Sequence, residues 1–205
     1  MMDTDKAVEK YSRNFQTVLV KGNFQDIPKH LAAYRTKLSE MYASESFRKH
    51  NIYPTTNTPY IYAVIAMCLE LKALGLTDKE IIDAVNNGFS RRRNFFKALL
   101  RCINLLPNSF QIAKKWNISD YEKRVKDGSL TYDYFRVSDG KIEYCISKCM
   151  YVEMFEAFGI RSLCKIFCMT DTTSYENLPK HVKFIRHSDL SDGNCCHDEI
   201  IERII

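Results

Sequence analysis

Apolar positions recur with a helical period through the first half of the chain. They are spaced in this way over residues 3–20 and 28–49, where Pro28 suits a first helical turn. Residues 60–69 are apolar almost without interruption, and Gly75 follows soon after. Because this segment has no polar face, we predict that it is a helix buried at the centre of a helical bundle.

Capping and helix-breaking residues mark where the next two helices begin and end. Thr77 and Glu80 have the spacing of a capping box, and the helix that they begin ends near Gly88. Another helix is predicted from Ser90 to Leu106, before Pro107. We therefore expect residues 1–127 to be mainly helical.

The pattern then changes to a period of two. Residues 130–137 and 141–147 alternate and are rich in strand-forming residues, and Asp139-Gly140 lies between them, which predicts a β-hairpin. Helices are predicted over residues 149–159 and 161–177, and further strands over residues 181–188 and 195–205. This order predicts a single α+β domain over residues 1–205, in which the α+β part, residues 128–205, carries an antiparallel β-sheet with interleaved helices.

Composition narrows the class of protein. The chain has 205 residues, 45% of them apolar and 27% charged, which is typical of a globular protein with a proper core. No basic segment followed by an apolar run opens the chain, and the longest apolar stretch is about half of a membrane span. We therefore expect a cytoplasmic protein with no membrane partner. In that reducing compartment the eight cysteines are expected to be thiols or metal ligands.

The charge suits a small anionic ligand better than a nucleic acid. The net charge is +5, which is well below that of a typical basic nucleic-acid-binding surface. The segment SRRRNFFK, residues 90–97, mixes basic and aromatic residues, but on a helix its arginines spread over much of the circumference. We interpret it as a solvated face and predict no nucleic-acid partner.

The C-terminal third carries a series of motifs in a fixed order. They are Cys149-Met150-Tyr151 after a strand, EMFEAFG as a helix that ends on glycine, Cys168 three residues before Asp171, VKFIRHSDL with Arg186, and DGNCC with Cys196. In their order and spacing, over residues 130–203, these motifs resemble the L-2-amino-thiazoline-4-carboxylic acid hydrolase family. One position departs from the pattern, because His197 follows Cys196 where an acidic residue is expected, and Asp198 comes next.

The resemblance implies a hydrolase that opens a cyclic amidine or cleaves a related C–N or C–S bond. Attack on the ring carbon between sulfur and nitrogen suits a thiolate, an acid group is needed for the leaving atom, and an arginine suits a substrate carboxylate. The implied catalytic residues are Cys149, Cys168, Asp171 and Cys196, and the implied substrate-binding residues are Tyr151, Arg186, His197 and Asp198. No cofactor and no metal are expected; the partner is a small, carboxylate-bearing molecule, and a homo-oligomer is possible.

The local pattern distinguishes between these candidates. Cys149 stands where a strand passes into a helix, and free amides at a helix start lower the pKa of a thiol, so Cys149 is the first choice of nucleophile. Cys168 and Asp171 lie three residues apart on one helix and share a face. In a strand, Cys196 and Asp198 would share one face and His197 would lie on the other. The plainer alternatives are core cysteines, a capping or solvated aspartate, a surface histidine and a structural ion pair at Arg186.

Two other functions stay open from the sequence. One is a metal-binding module that uses Cys145, Cys149, Cys164 and Cys168, with Cys195, Cys196 and His197 in reserve. A pair four apart on a helix and a pair at a strand end form a poor tetrahedron, so this reading is the less favoured one. The other is a non-catalytic domain of the same fold that binds a small ligand.

Overall fold

The structure is a computed structural model that describes residues 3–203, apart from the side chains of residues 90–93. The predicted α+β class is confirmed, because helices occupy the first part of the chain and an antiparallel sheet follows. The chain forms two compact units: unit 1 is Met1–Arg91 with Met154–Ile166, and unit 2 is Arg92–Glu153 with Phe167–Ile205. That both units belong to a single domain stays a prediction.

Unit 1 is helical and is built around the apolar segment. Its helices include α1 (Thr4–Lys21), α2 (Ile27–Ala43), α3 (Glu45–His50), α4 (Thr58–Ala73) and α5 (Asp78–Gly88). In α4, residues 61–68 are each no more than 1% exposed, so the predicted central helix is confirmed. The Tyr62 ring packs edge-on against Phe47 and Phe158, at centroid distances of 5.1 and 5.6 Å.

The ends of two helices show how local chemistry sets the element boundaries. The predicted capping box is present: Thr77 Oγ1 accepts from the Glu80 amide and Glu80 Oε2 accepts from the Thr77 amide, at 3.4 and 2.8 Å. The helical apolar pattern over residues 28–49 belongs to two helices, not to one continuous helix. Ser44 is extended and its hydroxyl caps the Phe47 amide, which ends α2 and begins α3.

Unit 2 carries the sheet. Its strands are β1 (Leu130–Val137), β2 (Lys141–Cys149), β3 (Val182–Ser188) and β4 (Cys196–Glu202), in the antiparallel order β1-β2-β4-β3. The predicted hairpin joins β1 to β2 and is closed by Ser138 N donating to Lys141 O at 2.8 Å. The other helices are α6 (Ser90–Asn104), α7 (Ser109–Asp127), α8 (Met150–Glu156) and α9 (Lys165–Glu176), and a short 3-10 helix, Arg161–Cys164, precedes α9.

The sheet has two different faces. Ile142, Tyr144 and Ile200 pack with Leu100, Phe110 and other apolar side chains in a buried cluster, and we call this face the inner face. Because side chains alternate along a strand, Glu143, His197 and Glu199 lie on the other, outer face. The site described below is on the inner face.

The structure bears only in part on the predictions that the protein has no membrane partner and no nucleic-acid partner. Among the described residues, no helix has both the length and the apolar content that crossing a membrane would require. The side chains of residues 91–93, on which the nucleic-acid alternative depended, lie outside the described residues. That alternative is therefore neither supported nor contradicted.

Candidate functional site

A cavity of about 300 Å³ opens on the inner face of the sheet, within unit 2. The side chains around it come from α7, the four strands, α8, α9 and the segment after β3. They are Asn117, Asp120, Arg124, Leu130, Tyr132, Phe135, Tyr144, Ile146, Cys149, Tyr151, Val152, Phe167, Cys168, Thr170, Asp171, Tyr175, Arg186, Asp189, Leu190 and Cys196. Predicted site residues from separate motifs therefore meet in one pocket.

An irregularity in β2 decides which cysteines enter the pocket. The pairing with β1 jumps from Lys148 to Ile146, which leaves Ser147 as an extra residue in β2. Such a β-bulge shifts the alternation of side chains beyond it. Cys149 therefore lines the pocket, whereas Cys145 approaches Asp133 Oδ2 at 3.8 Å. In a regular strand the two cysteines, four residues apart, would share a face.

Cys149 lies at the start of a helix, as the sequence predicted, but the pKa of its thiol is raised and not lowered. The amides of Val152 and Tyr151, at the start of α8, donate to its sulfur and lower the pKa of the thiol. Burial is the larger effect and raises the pKa of Cys149 to about 12. Near neutral pH this environment therefore favours the neutral thiol of Cys149 over the expected thiolate.

The other two predicted thiols also border the pocket. Cys168 is close enough to raise the pKa of Cys149 electrostatically. Cys196 is buried, and its sulfur lies 3.5 Å from Asp198 Oδ2. Burial first, and then the Asp198 charge, raise the pKa of Cys196 well above its usual value. A neutral thiol is the form that this environment favours.

Arg186 is held by protein groups on all sides of its guanidinium. Nε and Nη2 donate to the two carboxylate oxygens of Asp198 at 2.8 and 2.7 Å, and Nη1 donates to the carbonyl of Cys168 at 3.0 Å. Nη2 also lies 3.3 Å from Asp171, and Nη1 lies 3.7 Å from Asp189. The bidentate partner, Asp198, is buried and also accepts from the Tyr144 hydroxyl at 3.0 Å. These contacts make Arg186 an organising residue of the pocket floor, with its donors already engaged.

Asp171 is the titratable group best suited to move protons. Its carboxyl borders the cavity, and 54% of its side-chain surface is accessible. Desolvation by the protein groups around it raises the pKa of Asp171 to about 6; Arg186 opposes the shift and the Asp198 charge adds to it. A carboxyl with this pKa can accept and return a proton near neutral pH.

Sequence reasoning missed a second cation in the pocket. The guanidinium of Arg124, on α7, lies 3.3 Å from Asp120 and donates to the Tyr151 hydroxyl at 3.4 Å. It also lies over the Tyr151 ring, 5.6 Å from its centroid, and is near enough to Cys149 to lower the pKa of that thiol. No sequence signal distinguishes Arg124, because it stands in a lysine-rich and arginine-rich helix end that is typical of a solvated surface.

His197 is the predicted site residue that does not face the pocket. As the alternation predicted, it lies on the outer face while Cys196 lines the cavity and Asp198 is buried beneath it. His197 Nε2 lies 3.4 Å from Glu143 Oε1, and its ring stacks on His187. Its predicted role in binding a substrate in this pocket is therefore not supported by the geometry.

The metal-binding module of four cysteines is also not supported. Cys145 and Cys149 point to opposite faces of the sheet, and Cys164 is buried. Within residues 3–203, apart from the side chains of residues 90–93, the group whose potential ligand atoms lie close enough to share an ion contains no cysteine.

The comparison with known families agrees with the motifs around this pocket. A family model described as L-2-amino-thiazoline-4-carboxylic acid hydrolase matches residues 59–198, well over half of the chain. No curated protein and no solved structure matches the chain significantly. The matched segment includes Arg124, Cys149, Cys168, Asp171 and Arg186, as well as Cys196 and Asp198. The chain belongs to the L-2-amino-thiazoline-4-carboxylic acid hydrolase family.

Proposed function

We propose that this protein hydrolyses a small cyclic amidine of the thiazoline type that carries a carboxylate, and that the inner-face pocket is its active site. The observation that carries the proposal is the position of Asp171, a carboxyl with a pKa of about 6, in a family-matched pocket with two arginines and three thiols. The cavity of about 300 Å³ is of the size that small-molecule sites have.

Ring opening by water needs one group that moves protons in both directions. Asp171 takes a proton from the attacking water as the oxygen bonds to the ring carbon between sulfur and nitrogen. The ring nitrogen then receives that proton. As the carbonyl forms and the C–N bond breaks, the second water proton passes through Asp171 to the same nitrogen, which leaves as an amine. The sum is addition of one water. A general acid–base group performs this exchange best when its pKa lies near the working pH, as that of Asp171 does.

Cys149 offers a second route through the same pocket. Its sulfur would attack the ring carbon after its proton passes to a base, and the ring C–N bond would break as the departing nitrogen takes up protons. Water would then cleave the new C–S bond and regenerate the thiol. This route requires deprotonation of a thiol whose pKa is about 12 in the free protein. Attack by water is therefore the route that the electrostatics favour, with Cys149 and Cys168 as walls of the pocket.

Arg124 is the better candidate for holding the substrate carboxylate. Arg186 already donates to Asp198, Asp171 and the Cys168 carbonyl. Arg124 lies 3.3 Å from Asp120 and 3.4 Å from the Tyr151 hydroxyl, and it borders the cavity beside Cys149. Arginine binds carboxylates through paired hydrogen bonds, and Tyr151 beneath the guanidinium would keep its plane in place.

The direct test is turnover of a panel of thiazolines and related cyclic amidines, followed by mass spectrometry of the products. The panel should contain each ring with and without its carboxylate. We expect ring-opened product from the wild-type protein and at least about 100-fold less from Asp171→Asn. The matched control is Asp127→Asn, a carboxylate of unit 2 at the end of α7 that does not line the cavity.

The two routes are separated by Cys149→Ala and by mass spectrometry of the intact protein during turnover. Attack by water predicts that Cys149→Ala retains turnover and that no covalent adduct accumulates. Loss of turnover together with an adduct on Cys149 would replace it with the thiol route. Absence of turnover over the whole panel would contradict the proposed activity and favour the non-catalytic binding domain.

A further inference from the structure

A second group of chemically active side chains lies on the outer face of the sheet, opposite the pocket. It consists of His187 from β3 and His197 and Glu199 from β4, with Glu143 of β2 beside them. The potential ligand atoms of His187, His197 and Glu199 all lie within 4.8 Å of one another. The proposed hydrolysis uses none of these residues.

The sheet register explains why two histidines ten positions apart in sequence meet here. Arg186 pairs with Asp198 and Ser188 pairs with His197, so His187 is an extra residue in β3. This bulge lets the His187 ring lie against the His197 ring, with centroids 4.5 Å apart and planes 30° apart. The two imidazoles are therefore held side by side by the backbone.

Each imidazole directs its Nε2 atom toward a carboxylate. His187 Nε2 lies 3.6 Å from Glu199 Oε1, and His197 Nε2 lies 3.4 Å from Glu143 Oε1. His197 Nε2 is buried and makes no hydrogen bond of normal geometry. A buried imidazole nitrogen without such a partner is costly unless another group satisfies it, and an imidazole nitrogen that lies close to a second imidazole and to carboxylates can bind a metal ion.

We propose that His187, His197 and Glu199 form a binding site for a divalent first-row transition-metal ion such as Zn²⁺. Imidazole and carboxylate are ligands that such ions accept, and ligand atoms of a zinc site stand about 3.3 Å apart when each is about 2.0–2.1 Å from the ion. From the separations of at most 4.8 Å, small side-chain rotations reach that spacing. Glu143 is near enough to His197 to be a fourth ligand or to hold a metal-bound water.

The ammonium of Lys141 would compete with a metal ion for the carboxylates of this site. Its ammonium lies 2.9 Å from Glu199 Oε1 and 3.4 Å from Glu143 Oε2, so it neutralises the carboxylates that the ion would use. The ion has to displace this lysine from Glu199. A protein that lacks the ammonium should therefore bind the metal more tightly.

The test is titration of the full, untagged chain with zinc chloride, monitored by calorimetry, together with the visible absorption of the Co²⁺ complex. We expect one equivalent of zinc per chain. His187→Asn and His197→Gln should each weaken binding by at least about tenfold, since loss of even a residue that only supports a ligand costs 10–100-fold. His181→Asn is the matched control and should bind as the wild type does, and Lys141→Met should bind more tightly.

Each other outcome overturns the assignment. These outcomes are no saturable binding of zinc, equal binding by the wild type, His187→Asn and His197→Gln, or binding by Lys141→Met that is no tighter than wild type. His187 is exposed, with 43% of its side-chain surface accessible, so His187→Asn should fold normally, which circular dichroism will check. The absorption spectrum of bound Co²⁺ reports its ligands directly, so a folding defect in the His197 variant leaves the assignment testable.

Discussion

The carboxylate of Asp198 lies beneath the pocket and binds the guanidinium of Arg186 through two hydrogen bonds of 2.8 and 2.7 Å. Asp198 is fully buried, and 17% of the Arg186 side chain is exposed. The pair joins neighbouring strands, because Arg186 and Asp198 are register partners in β3 and β4. It therefore couples the stability of the sheet to the geometry of the pocket.

Loss of Asp198 should destabilise the fold strongly. Removing one partner of a buried ion pair leaves the other charge uncompensated, which costs about 3–5 kcal/mol; we expect the lower end, because Asp171 and Asp189 remain near Arg186. Asp198→Ala should therefore unfold at a lower urea concentration. Lys6→Ala, from an exposed pair with Asp3, is the control and should leave the midpoint unchanged. An unchanged midpoint for Asp198→Ala would contradict the structural role of the pair.

The raised pKa of Asp171 predicts that the activity changes with pH in the range where this carboxyl loses its proton. If Asp171 is the base for water, its carboxylate form is the active one, so kcat/KM should rise with pH and level off above about pH 6. In Asp171→Asn, kcat should fall at least about 100-fold, and the rise of kcat/KM with pH should disappear. If the variant still shows this rise, the titration belongs to another group.

The same shift predicts how Asp171 affects stability. The pKa of its carboxyl is about 6 in the folded protein and near 3.8 in the unfolded chain, so between these values the folded state binds more protons. The stability contributed by this group therefore falls as pH rises from about 4 to 6 and stays low above. Asp171→Asn should be more stable than the wild type at pH 7–8, and the difference should shrink below pH 4. Urea denaturation at several pH values measures it.

Cys149 should be a slow thiol in the native protein. Because burial raises the pKa of Cys149 to about 12, its thiolate fraction at pH 7 is far below that of an unfolded chain, and alkylation proceeds through the thiolate. With iodoacetamide, peptide mass spectrometry should show Cys102, which is exposed, modified long before Cys149. In denatured protein the two should react at similar rates. Native Cys149 that reacts as fast as Cys102 would restore the activated-thiol hypothesis.

Arg124 should control affinity for the substrate carboxylate rather than the chemical step. We expect Arg124→Ala to raise KM for carboxylate-bearing rings by roughly 10–100-fold, because a charge-assisted hydrogen bond contributes about 1.5–3 kcal/mol. Turnover of rings without a carboxylate should change little. The comparison variant is Lys126→Ala, which removes a cation two residues along α7 outside the lining of the cavity. Equal effects on both kinds of ring would show that Arg124 supports the fold instead.

Much of the fold could be predicted from the sequence, because the signals that set its helices and turns lie within short segments of the chain. The capping box at Thr77, the hairpin turn after Val137 and the buried helix α4 each depend on residues within a few positions of one another. The break at Ser44 was missed, because a serine inside a helical pattern is compatible with both a continuous helix and a cap.

For the candidate site, the sequence predicted which residues belong to it but not the role of each residue. The motifs identified the family and brought Cys149, Cys168, Asp171 and Arg186 into consideration. Their roles depend on distances between elements far apart in sequence. Arg186 is engaged because Asp198 is its neighbour across the sheet, and Arg124 enters because α7 lies beside Tyr151.

By itself, the sequence determined the α+β class, the family and the separation of His197 from Cys196 and Asp198, because side-chain periodicity and motif spacing are properties of the chain. Only the tertiary structure decided that the bulge at Ser147 turns Cys149 into the pocket. It also decided that burial outweighs the helix start in setting the pKa of Cys149. Burial and electrostatic interactions act through space, and they depend on which groups the fold brings together.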